Sequence, residues 1–486
     1  MVNGVMLQAF QWYLPSGVLW TSLAADAAQL AAAGFTALWI PPPGKGAGGA
    51  NDVGYAVYDR YDLGEFNQKG GIATKYGTQV QLVAAISRLQ QVGIAVYADV
   101  VFNHMDGGDA TEVVMAQRVS WDDRNQAVSD WYPIRMWTSF TFPGRAGVYS
   151  AMRWSAECFD AVSYDDFYSE LGNSQLFRLK DKTFSTDVSH EHGNYDYLIA
   201  CDLDLGVPAV RADLFAWGRW LLDTTRVDGF RLDACKHMRA SFFPDWLGDL
   251  RARSGRALFT VGEYWSGDTG ELHDYLAATG GCLSLFDVPL HYRFHAAGRA
   301  GSSYDLRTIL DGTLMREQPA LAVTFVDNHD SQPCQSLESW VEPWFKPLAY
   351  ALILLRREGY PCVFAGDYGA TVGYQDKGRE VTLWSHRFLI DIFLDARRRY
   401  GFGDQHDYFD HPNTIGWLRT GDATHPGAMA VLLTNSAPGR KWMNTFRPGA
   451  VFADATGHIA GTVQADQAGW AEFTCPGGSV SVWLQR

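Results

Sequence analysis

Short apolar runs rich in β-branched and aromatic residues recur over most of the chain, separated by segments with helical periodicity. Three of those segments, 19–34, 78–93 and 209–225, place apolar residues three and four positions apart, and two of them end near glycine. Strands that alternate with helices in this way are typical of βα units around a parallel sheet. The eight apolar runs are 5–12, 35–42, 94–102, 227–234, 258–265, 283–290, 321–328 and 361–366.

Eight strand–helix repeats predict an α/β fold, a closed (β/α)8 TIM barrel. An open doubly wound sheet fits less well, because no GxGxxG follows the first run. The third and fourth runs are more than 100 residues apart, which predicts a small inserted domain at 103–205. After residue 397, short alternating runs with Gly or Asn turns predict an antiparallel β-sandwich at 398–486. The barrel would then comprise 1–102 and 206–397.

Composition narrows the classes of protein. The 486 residues are 47% hydrophobic, and 54 acidic against 40 basic residues give a net charge of -14, which argues against a nucleic-acid partner. The longest apolar stretch, 348–355, is far shorter than the roughly 20 residues of a membrane span. The first basic residue is Lys45, so no signal peptide is expected in the chain as given. We therefore expect a cytoplasmic protein, or a secreted one whose signal was removed.

The seven cysteines (158, 201, 235, 282, 334, 362 and 475) show no metal-type spacing, and an odd number cannot all pair internally. We expect free, mostly buried thiols.

Carboxylates stand where three of the predicted strands end. The fourth run ends with Asp233, the fifth with Glu263, and "FVDNHD" after the seventh ends with Asp330. A single loop acid is often just solvated or a helix cap. Catalytic groups of a barrel lie at the carboxyl ends of its strands, so three carboxylates converging on one rim predict an active site.

Strand alternation gives two of these acids a predicted ionisation state. Arg231 and Asp233 share one face, so the cation is expected to lower the pKa of Asp233 and keep it an ionised nucleophile. Glu263 precedes Tyr264 and Trp265, and an aromatic wall is expected to raise its pKa, as a proton donor requires. Such a pair suits glycoside hydrolysis, with Asp330 left to stabilise charge on the sugar ring or to hold its hydroxyls.

The segments "DVVFNH" (99–104), "GFRLDACKH" (229–237), "GEYW" (262–265) and "FVDNHD" (325–330) stand in the order of the four hallmark segments of the α-amylase family of glycoside hydrolases, family 13. The chain resembles this family, and "LQAFQWY" (7–13) and "GNYDYL" (193–198) look most like the liquefying bacterial-type and intracellular α-amylases. The resemblance implies retaining endo-hydrolysis of α-1,4-glucosidic bonds in starch, glycogen and maltooligosaccharides. Asp233 would be the nucleophile, Glu263 the acid/base and Asp330 the transition-state stabiliser.

The resemblance also implies a set of sugar-binding residues and a monomeric enzyme. Charged, imidazole and aromatic side chains suit sugar hydroxyls and sugar faces. The implied residues are Trp12, Tyr55, His104, Arg231, Lys236, His237, Trp265 and His329.

A structural Ca²⁺ is implied between barrel and insert, held by Asn103, Asp196, Asp202 and the main-chain carbonyl of His237, all hard oxygen ligands. Liquefying members carry further aspartates that build a calcium–sodium–calcium cluster. Two of the aligned positions here are Ser185 and Gly206, while Asp160, Asp187 and Asp204 remain nearby. This argues for the first calcium and against a second calcium and a sodium.

The sequence leaves three other functional hypotheses open. A related α-glucan transglycosylase or α-1,6-debranching enzyme would use the same carboxylates. A metal-dependent amidohydrolase barrel expects an HxH pair at the first strand, where this chain has "QAFQW". A non-catalytic glycan-binding homologue is disfavoured because all three carboxylates and both strand-end histidines, His104 and His329, are present.

Overall fold

The barrel is closed in the structure, a computed structural model that describes residues 3–486. Its eight parallel strands pair with their neighbours in chain order, and the last pairs with the first. Each of the eight predicted runs overlaps one strand, which confirms the predicted fold class. The barrel strands are Met6–Gln8, Ala37–Ile40, Ala95–Val100, Gly229–Leu232, Phe259–Gly262, Ser284–Phe286, Ala322–Phe325 and Tyr360–Phe364.

Helices follow the strands on the outside of the barrel. The first, Leu19–Ala33, ends at Gly34, whose φ of 115° favours glycine. The second, Gln79–Gln91, begins with a capping box formed by Thr78 and Gln81. The third, Pro208–Thr225, confirms the last of the three helical patterns. The others are Phe242–Ser254, Thr269–Ala278, Val288–Ala300, Leu314–Glu317, Lys346–Leu355, Ala365–Tyr368 and Arg387–Tyr400.

A six-stranded antiparallel sheet lies between the third and fourth barrel strands, within the segment predicted as an inserted domain. The boundaries of that domain stay a prediction. In spatial order the strands are His104–Met105, Cys201–Leu203, Phe159–Val162, Leu176–Leu179, Ala110–Val119 and Tyr132–Ser139. Two hairpins were not predicted: Lys45–Gly46 with Val57–Asp59, and Val372–Asp376 with Arg379–Leu383.

The C-terminal segment forms two antiparallel sheets that pack around Phe452, Phe473 and Trp483. The short alternating runs predicted after residue 397 are confirmed as strands of these two sheets. The larger sheet consists of Gln405–His411, Thr414–Arg419, Met429–Thr434, Val480–Gln485, Val451–Asp454 and Thr462–Gln464, and the smaller of Gly439–Asn444 and Trp470–Cys475.

The cysteines follow the expectation: all seven are free thiols, and all but Cys282 are buried. Within residues 3–486, no helix combines the length and the apolar character that a membrane crossing requires.

Gly229 opens the fourth barrel strand where the neighbouring strand comes very close. A Cβ at this position would lie 1.9 Å from the carbonyl oxygen of Phe259. We expect Gly229→Ala to lower the free energy of unfolding by about 1–3 kcal/mol or more, because backbone must move. Urea denaturation measures the change. Gly248→Ala is the control, since a Cβ there meets nothing within 4 Å, and an unchanged Gly229 variant would contradict the close approach.

Candidate active site

Alternation along the fourth barrel strand sends Arg231 into the barrel. Phe230 faces outward, 5.0 Å from the ring of Trp246 on the helix Phe242–Ser254. Arg231 is therefore interior; it is fully buried and stands in register with Asp99 on the third strand. Its guanidinium lies 4.9 Å from the ring centroid of Trp39, a cation–π contact.

One guanidinium holds three carboxylates at the rim. Nη1 of Arg231 donates to both oxygens of Asp99, at 2.9 and 3.1 Å, and to Oδ1 of Asp233 at 2.6 Å. Nη2 lies 2.8 Å from Oε2 of Glu263. The hydrogen bond to Asp233 is short, and Glu263 forms an ion pair with the same guanidinium, so one cation holds both carboxylates.

Asp99 was missed as a site residue by sequence reasoning. Its carboxylate accepts a hydrogen bond from Nε1 of Trp39 at 3.0 Å and from the hydroxyl of Tyr55 at 2.8 Å, besides those from Arg231. The available signal was a carboxylate inside the apolar run 94–102, since a buried acid needs a partner.

The predicted direction of the Asp233 pKa is wrong. Burial raises the pKa of Asp233 to about 6, with Asp99 adding repulsion, and these effects outweigh the lowering by Arg231. Three buried carboxylates share a single guanidinium, so one positive charge cannot compensate all of them. The adjacent cation was correctly identified, but its burial and its other partners lay outside the local sequence.

Glu263 has a raised pKa, as predicted. Burial is the main cause and repulsion from Asp233 adds to it, while Arg231 opposes the shift. Oε2 accepts a hydrogen bond from the backbone N–H of Ala234 at 3.2 Å. Oε1 has no hydrogen-bond partner among the described residues. A carboxyl group held on one oxygen and unpartnered on the other can carry a proton there.

Asp330 has His329 as its close polar neighbour. Nε2 of His329 lies 3.2 Å from Oδ2 of Asp330, and Nδ1 of the ring accepts from the amide nitrogen of Gln8 at 3.0 Å. The imidazole proton is then on Nε2, which has no hydrogen-bond partner among the described residues although Asp330 is near. Burial lowers the pKa of His329 far below its usual value, and burial together with Glu263 raises that of Asp330.

A cleft of about 660 Å³ opens above this rim. Asp233, Glu263 and Asp330 line it, together with every implied sugar-binding residue except Arg231 and His329. Those two are fully buried beneath the wall, so the structure does not place them on the cleft surface as the resemblance implied. Their ring and guanidinium instead support residues that do line it. Sequence reasoning missed further lining residues: Glu191, Tyr195, Leu198, Ile199, Tyr292, Ser336 and Leu337.

Aromatic rings form one side of the cleft. Trp12 and Tyr55 are parallel within 3°, with ring centroids 6.0 Å apart, and His329 stacks against both. Across the cleft, Nε1 of Trp265 donates to the hydroxyl of Tyr292 at 2.8 Å.

Polar groups of the cleft wall are held by their neighbours. Nε2 of His104 bonds to the carbonyl of Tyr55 at 2.8 Å, and burial lowers the pKa of His104 to about 4, so the ring is neutral. Lys236 forms an ion pair with Glu191 and donates to the carbonyl of Trp265 at 3.2 Å. Nδ1 of His237 lies 2.8 Å from the carbonyl of Tyr195.

A second acidic group lies in the insert. Asp160, Asp196 and Asp202 are buried and each offers an oxygen within 4.8 Å of the others. Burial and mutual repulsion raise the pKa of Asp160 and Asp202 well above the usual range, and burial raises that of Asp196 to about 6. Such a cluster of oxygen donors can bind a metal ion.

The predicted ligands Asn103, Asp196 and Asp202 belong to this cluster. Asn103 donates to Oδ1 of Asp202 at 2.7 Å. Among the described residues, Oδ1 of Asn103, Oδ1 of Asp160 and Oδ2 of Asp202 lack hydrogen-bond partners. Unpartnered buried oxygens are costly unless a cation satisfies them, so the donor set fits a hard metal ion. Asp160, kept only for extra binding in the sequence interpretation, joins the first set.

The two remaining aspartates near the predicted cluster are paired with protein cations. Oδ2 of Asp204 lies 2.8 Å from Nζ of Lys182, which also donates to the carbonyl of Glu157. Asp187 accepts from the hydroxyl of Ser241 at 2.8 Å and lies 3.5 Å from Nε of Arg239.

Comparison with known families now adds to this geometry. Residues 29–395 match the family model of the α-amylase catalytic domain, and residues 429–484 match that of the α-amylase C-terminal domain. The chain belongs to the α-amylase family. The family match covers the strands that carry Asp233, Glu263 and Asp330.

Individual members of the family are similar over the whole chain. The α-amylase of Geobacillus stearothermophilus is 51% identical over all of this chain and 87% of its own. A glucan 1,4-α-maltohexaosidase of a Bacillus species (strain 707) is 47% identical over all of this chain and 93% of its own. The acarbose complex of the Geobacillus thermoleovorans α-amylase superposes with a TM-score of 0.65 at 16% identity, covering 100% of this chain and 98% of that one, which concerns the fold alone.

Removing the guanidinium of Arg231 should destabilise the protein, because three buried carboxylates depend on it. In Arg231→Met, three buried carboxylates lose their partner, and we expect a loss of about 3–5 kcal/mol in the free energy of unfolding. Guanidinium denaturation measures it. Arg253→Met is the matched control, because its ion pair with Asp223 is exposed and is worth at most about 1 kcal/mol. Equal effects of the two substitutions would contradict the central role of Arg231.

Proposed function

We infer that this protein is an α-amylase that hydrolyses α-1,4-glucosidic bonds inside starch, glycogen and maltooligosaccharides with retention. The observation that carries the inference is the meeting of Asp233 and Glu263 on one guanidinium, with Asp330 beside them in a single cleft. Family membership supports it, because the family model that matches is that of a catalytic domain.

Two carboxyl groups with different tasks perform the reaction. Glu263, with its raised pKa, gives its proton to the glycosidic oxygen as the bond to the leaving chain breaks. Asp233 attacks the anomeric carbon and forms a covalent glycosyl-aspartate intermediate. Glu263, now ionised, takes a proton from water, whose oxygen attacks the anomeric carbon and releases Asp233. Two inversions at this carbon give net retention.

The shared guanidinium supports retention over inversion. Inverting enzymes need about 6.5–9.5 Å between the carboxyl groups to admit a water, and retaining enzymes about 5–5.5 Å. Asp233 contacts Nη1 of Arg231 and Glu263 contacts Nη2, so a single guanidinium keeps the two carboxyl groups close together. Arg231 also stabilises the ionised form of each group once it has lost its proton or its glycosyl group.

Substrate position follows from the cleft wall. The parallel rings of Trp12 and Tyr55 offer flat surfaces to sugar faces. Neutral His104 donates its Nε2 proton to the carbonyl of Tyr55, so its Nδ1 can accept a hydrogen bond from a sugar hydroxyl. Asp330 is suited to bind ring hydroxyls and to stabilise positive charge at the anomeric centre. Lys236 and His237, three and four residues after the nucleophile, line the same cleft and would contact further sugar positions.

A related transglycosylase or α-1,6-debranching enzyme would use the same carboxylates. The relatives that match this chain over its full length are named α-amylase and maltohexaosidase, which favours hydrolysis of 1,4 bonds. Product analysis on amylose, pullulan and a branched dextrin separates these activities.

We further propose that the cluster of Asp160, Asp196 and Asp202 holds one structural Ca²⁺, with Asn103 and the carbonyl of His237 as additional ligands. The ion would neutralise the buried charge of the insert. It would also order the cleft, because Asn103, Asp196 and His237 each neighbour or belong to the cleft wall. The pairing of Asp204 with Lys182 and of Asp187 with Arg239 supports a single site rather than a linked cluster.

The acid/base assignment is tested by Glu263→Gln. Glutamine keeps acceptor contacts with Arg231 and Ala234 but carries no acidic proton, so kcat on maltoheptaose should fall by about 10²- to 10⁴-fold. Calorimetry should show maltoheptaose binding within a few-fold of wild type. Exposed Glu380→Gln serves as the control. Undiminished hydrolysis in the Glu263 variant would overturn the assignment.

The calcium proposal predicts a melting temperature that depends on the metal. Dialysis against a chelator should lower it and added Ca²⁺ should restore it, as binding at 100 times the Kd contributes about 2.7 kcal/mol. Asp160→Asn should weaken this response. Asp204→Asn should preserve it, because Asp204 pairs with Lys182. If a chelator leaves the wild-type melting temperature unchanged, the calcium proposal is wrong.

A further inference from the structure

The inserted sheet contains a second cavity, of about 260 Å³, that shares no lining residue with the catalytic cleft. Three aromatic and three polar side chains contribute most of its wall. They are Arg118, Tyr132, Asp165, Tyr168, Gln175 and Phe177.

Strand register explains why these side chains meet. Phe177 lies directly opposite Arg118, and Tyr132 lies opposite Ala116, so the strands present Arg118, Tyr132 and Phe177 on one face of the sheet. The rings of Tyr132 and Phe177 are 6.3 Å apart at 81°. The 3₁₀ segment Asp166–Leu171 carries Tyr168, which is 55% exposed, to the mouth of the cavity. The cavity therefore has an aromatic floor and an aromatic rim.

The polar groups of the cavity have unused hydrogen-bonding capacity. Asp165 is 5% exposed; its Oδ1 accepts from the backbone N–H groups of Arg135 and Phe167, at 2.9 and 3.0 Å. Among the described residues, its Oδ2 has no partner, and neither has Nε of Arg118. Nη1 of Arg118 reaches Oε1 of Gln175 only at 3.4 Å. A buried carboxylate oxygen and a guanidinium N–H without partners are suited to a ligand with hydroxyl groups.

We propose that this cavity binds one glucose ring of an α-glucan chain, as a carbohydrate-binding site separate from the cleft. The inference rests on the proposed function, which supplies the polymer. One guanidinium and one carboxylate balance, so the lining does not select an anion or a cation. The volume is below the roughly 300 Å³ at which pockets for larger ligands begin, which fits a single ring. Aromatic faces with planar polar side chains are the groups that bind sugars.

Trp121 connects the cavity to the cleft wall. Its Nε1 donates to the carbonyl of Ser174, beside Gln175, at 3.0 Å, and its side chain is 38% exposed. Arg124 lies over the rings of both Trp121 and Tyr195, at 5.7 and 4.1 Å, and Tyr195 lines the cleft. A polymer held at the cavity would remain close to the catalytic rim, an advantage that a short oligosaccharide would not share.

The test compares a granular polymer with a short substrate. Tyr168→Ala and the double variant Tyr132→Ala/Tyr168→Ala are measured for adsorption to starch granules at 4 °C and for kcat/KM on maltoheptaose. Because an aromatic contact of this kind contributes about one factor of ten in affinity, the Kd for granules should rise about fivefold to tenfold in Tyr168→Ala and further in the double variant. kcat/KM on maltoheptaose should stay within about twofold. Phe388→Ala, another exposed aromatic on the barrel helix Arg387–Tyr400, is the control and should change neither.

Each outcome decides the proposal. Weaker granule adsorption with normal maltoheptaose turnover and an unchanged melting temperature supports it. Unchanged adsorption in the correctly folded double variant overturns it, as does an equal loss in Phe388→Ala. A parallel loss of adsorption and maltoheptaose turnover also overturns it, because the effect would then lie in the cleft or the fold. A wild-type protein that fails to hydrolyse maltoheptaose would instead refute the proposed function.

Discussion

The active site depends on a cation buried inside the barrel. Arg231 is fully enclosed and binds Asp99, Asp233 and Glu263 through its two terminal nitrogens. Removing charges from water is costly, and the cost is offset here by ion pairs with three carboxylates and by a cation–π contact with Trp39. The closed ring of strands supplies that environment, since the third, fourth and fifth strands are neighbours and each contributes one partner. The same ion pairs thus connect three neighbouring barrel strands and position Asp233 and Glu263.

Local sequence was sufficient for the framework of this site. Apolar runs located all eight barrel strands, and the acids at their carboxyl ends pointed to Asp233, Glu263 and Asp330. The rule works because parallel strands in a barrel must end on the same rim. The direction of the Glu263 pKa was also predicted from the adjacent aromatic residues, although the causes in the structure are burial and repulsion from Asp233.

The local sequence could not predict properties that depend on tertiary neighbours, such as pKa values, contact partners and burial depth. Arg231 was paired with Asp233 alone, so the pKa of Asp233 was expected to fall, whereas burial and Asp99 raise it. Asp99 and Asp160 stand inside apolar strands, and only the folded sheets show which partners they meet. Arg231 and His329 lie beneath the cleft surface for the same reason: alternation gives the face of a strand but not the depth of a side chain.

The contact between Lys182 and Asp204 bears on how the insert copes with its acidic residues. The ammonium group of Lys182 is part of the polypeptide, and it also donates a hydrogen bond to the carbonyl of Glu157. Unlike an ion drawn from solution, it cannot be diluted, exchanged or sequestered by a competing binder. The charge of Asp204 is therefore neutralised by the protein itself, and this neutralisation does not depend on the concentration of free divalent ions.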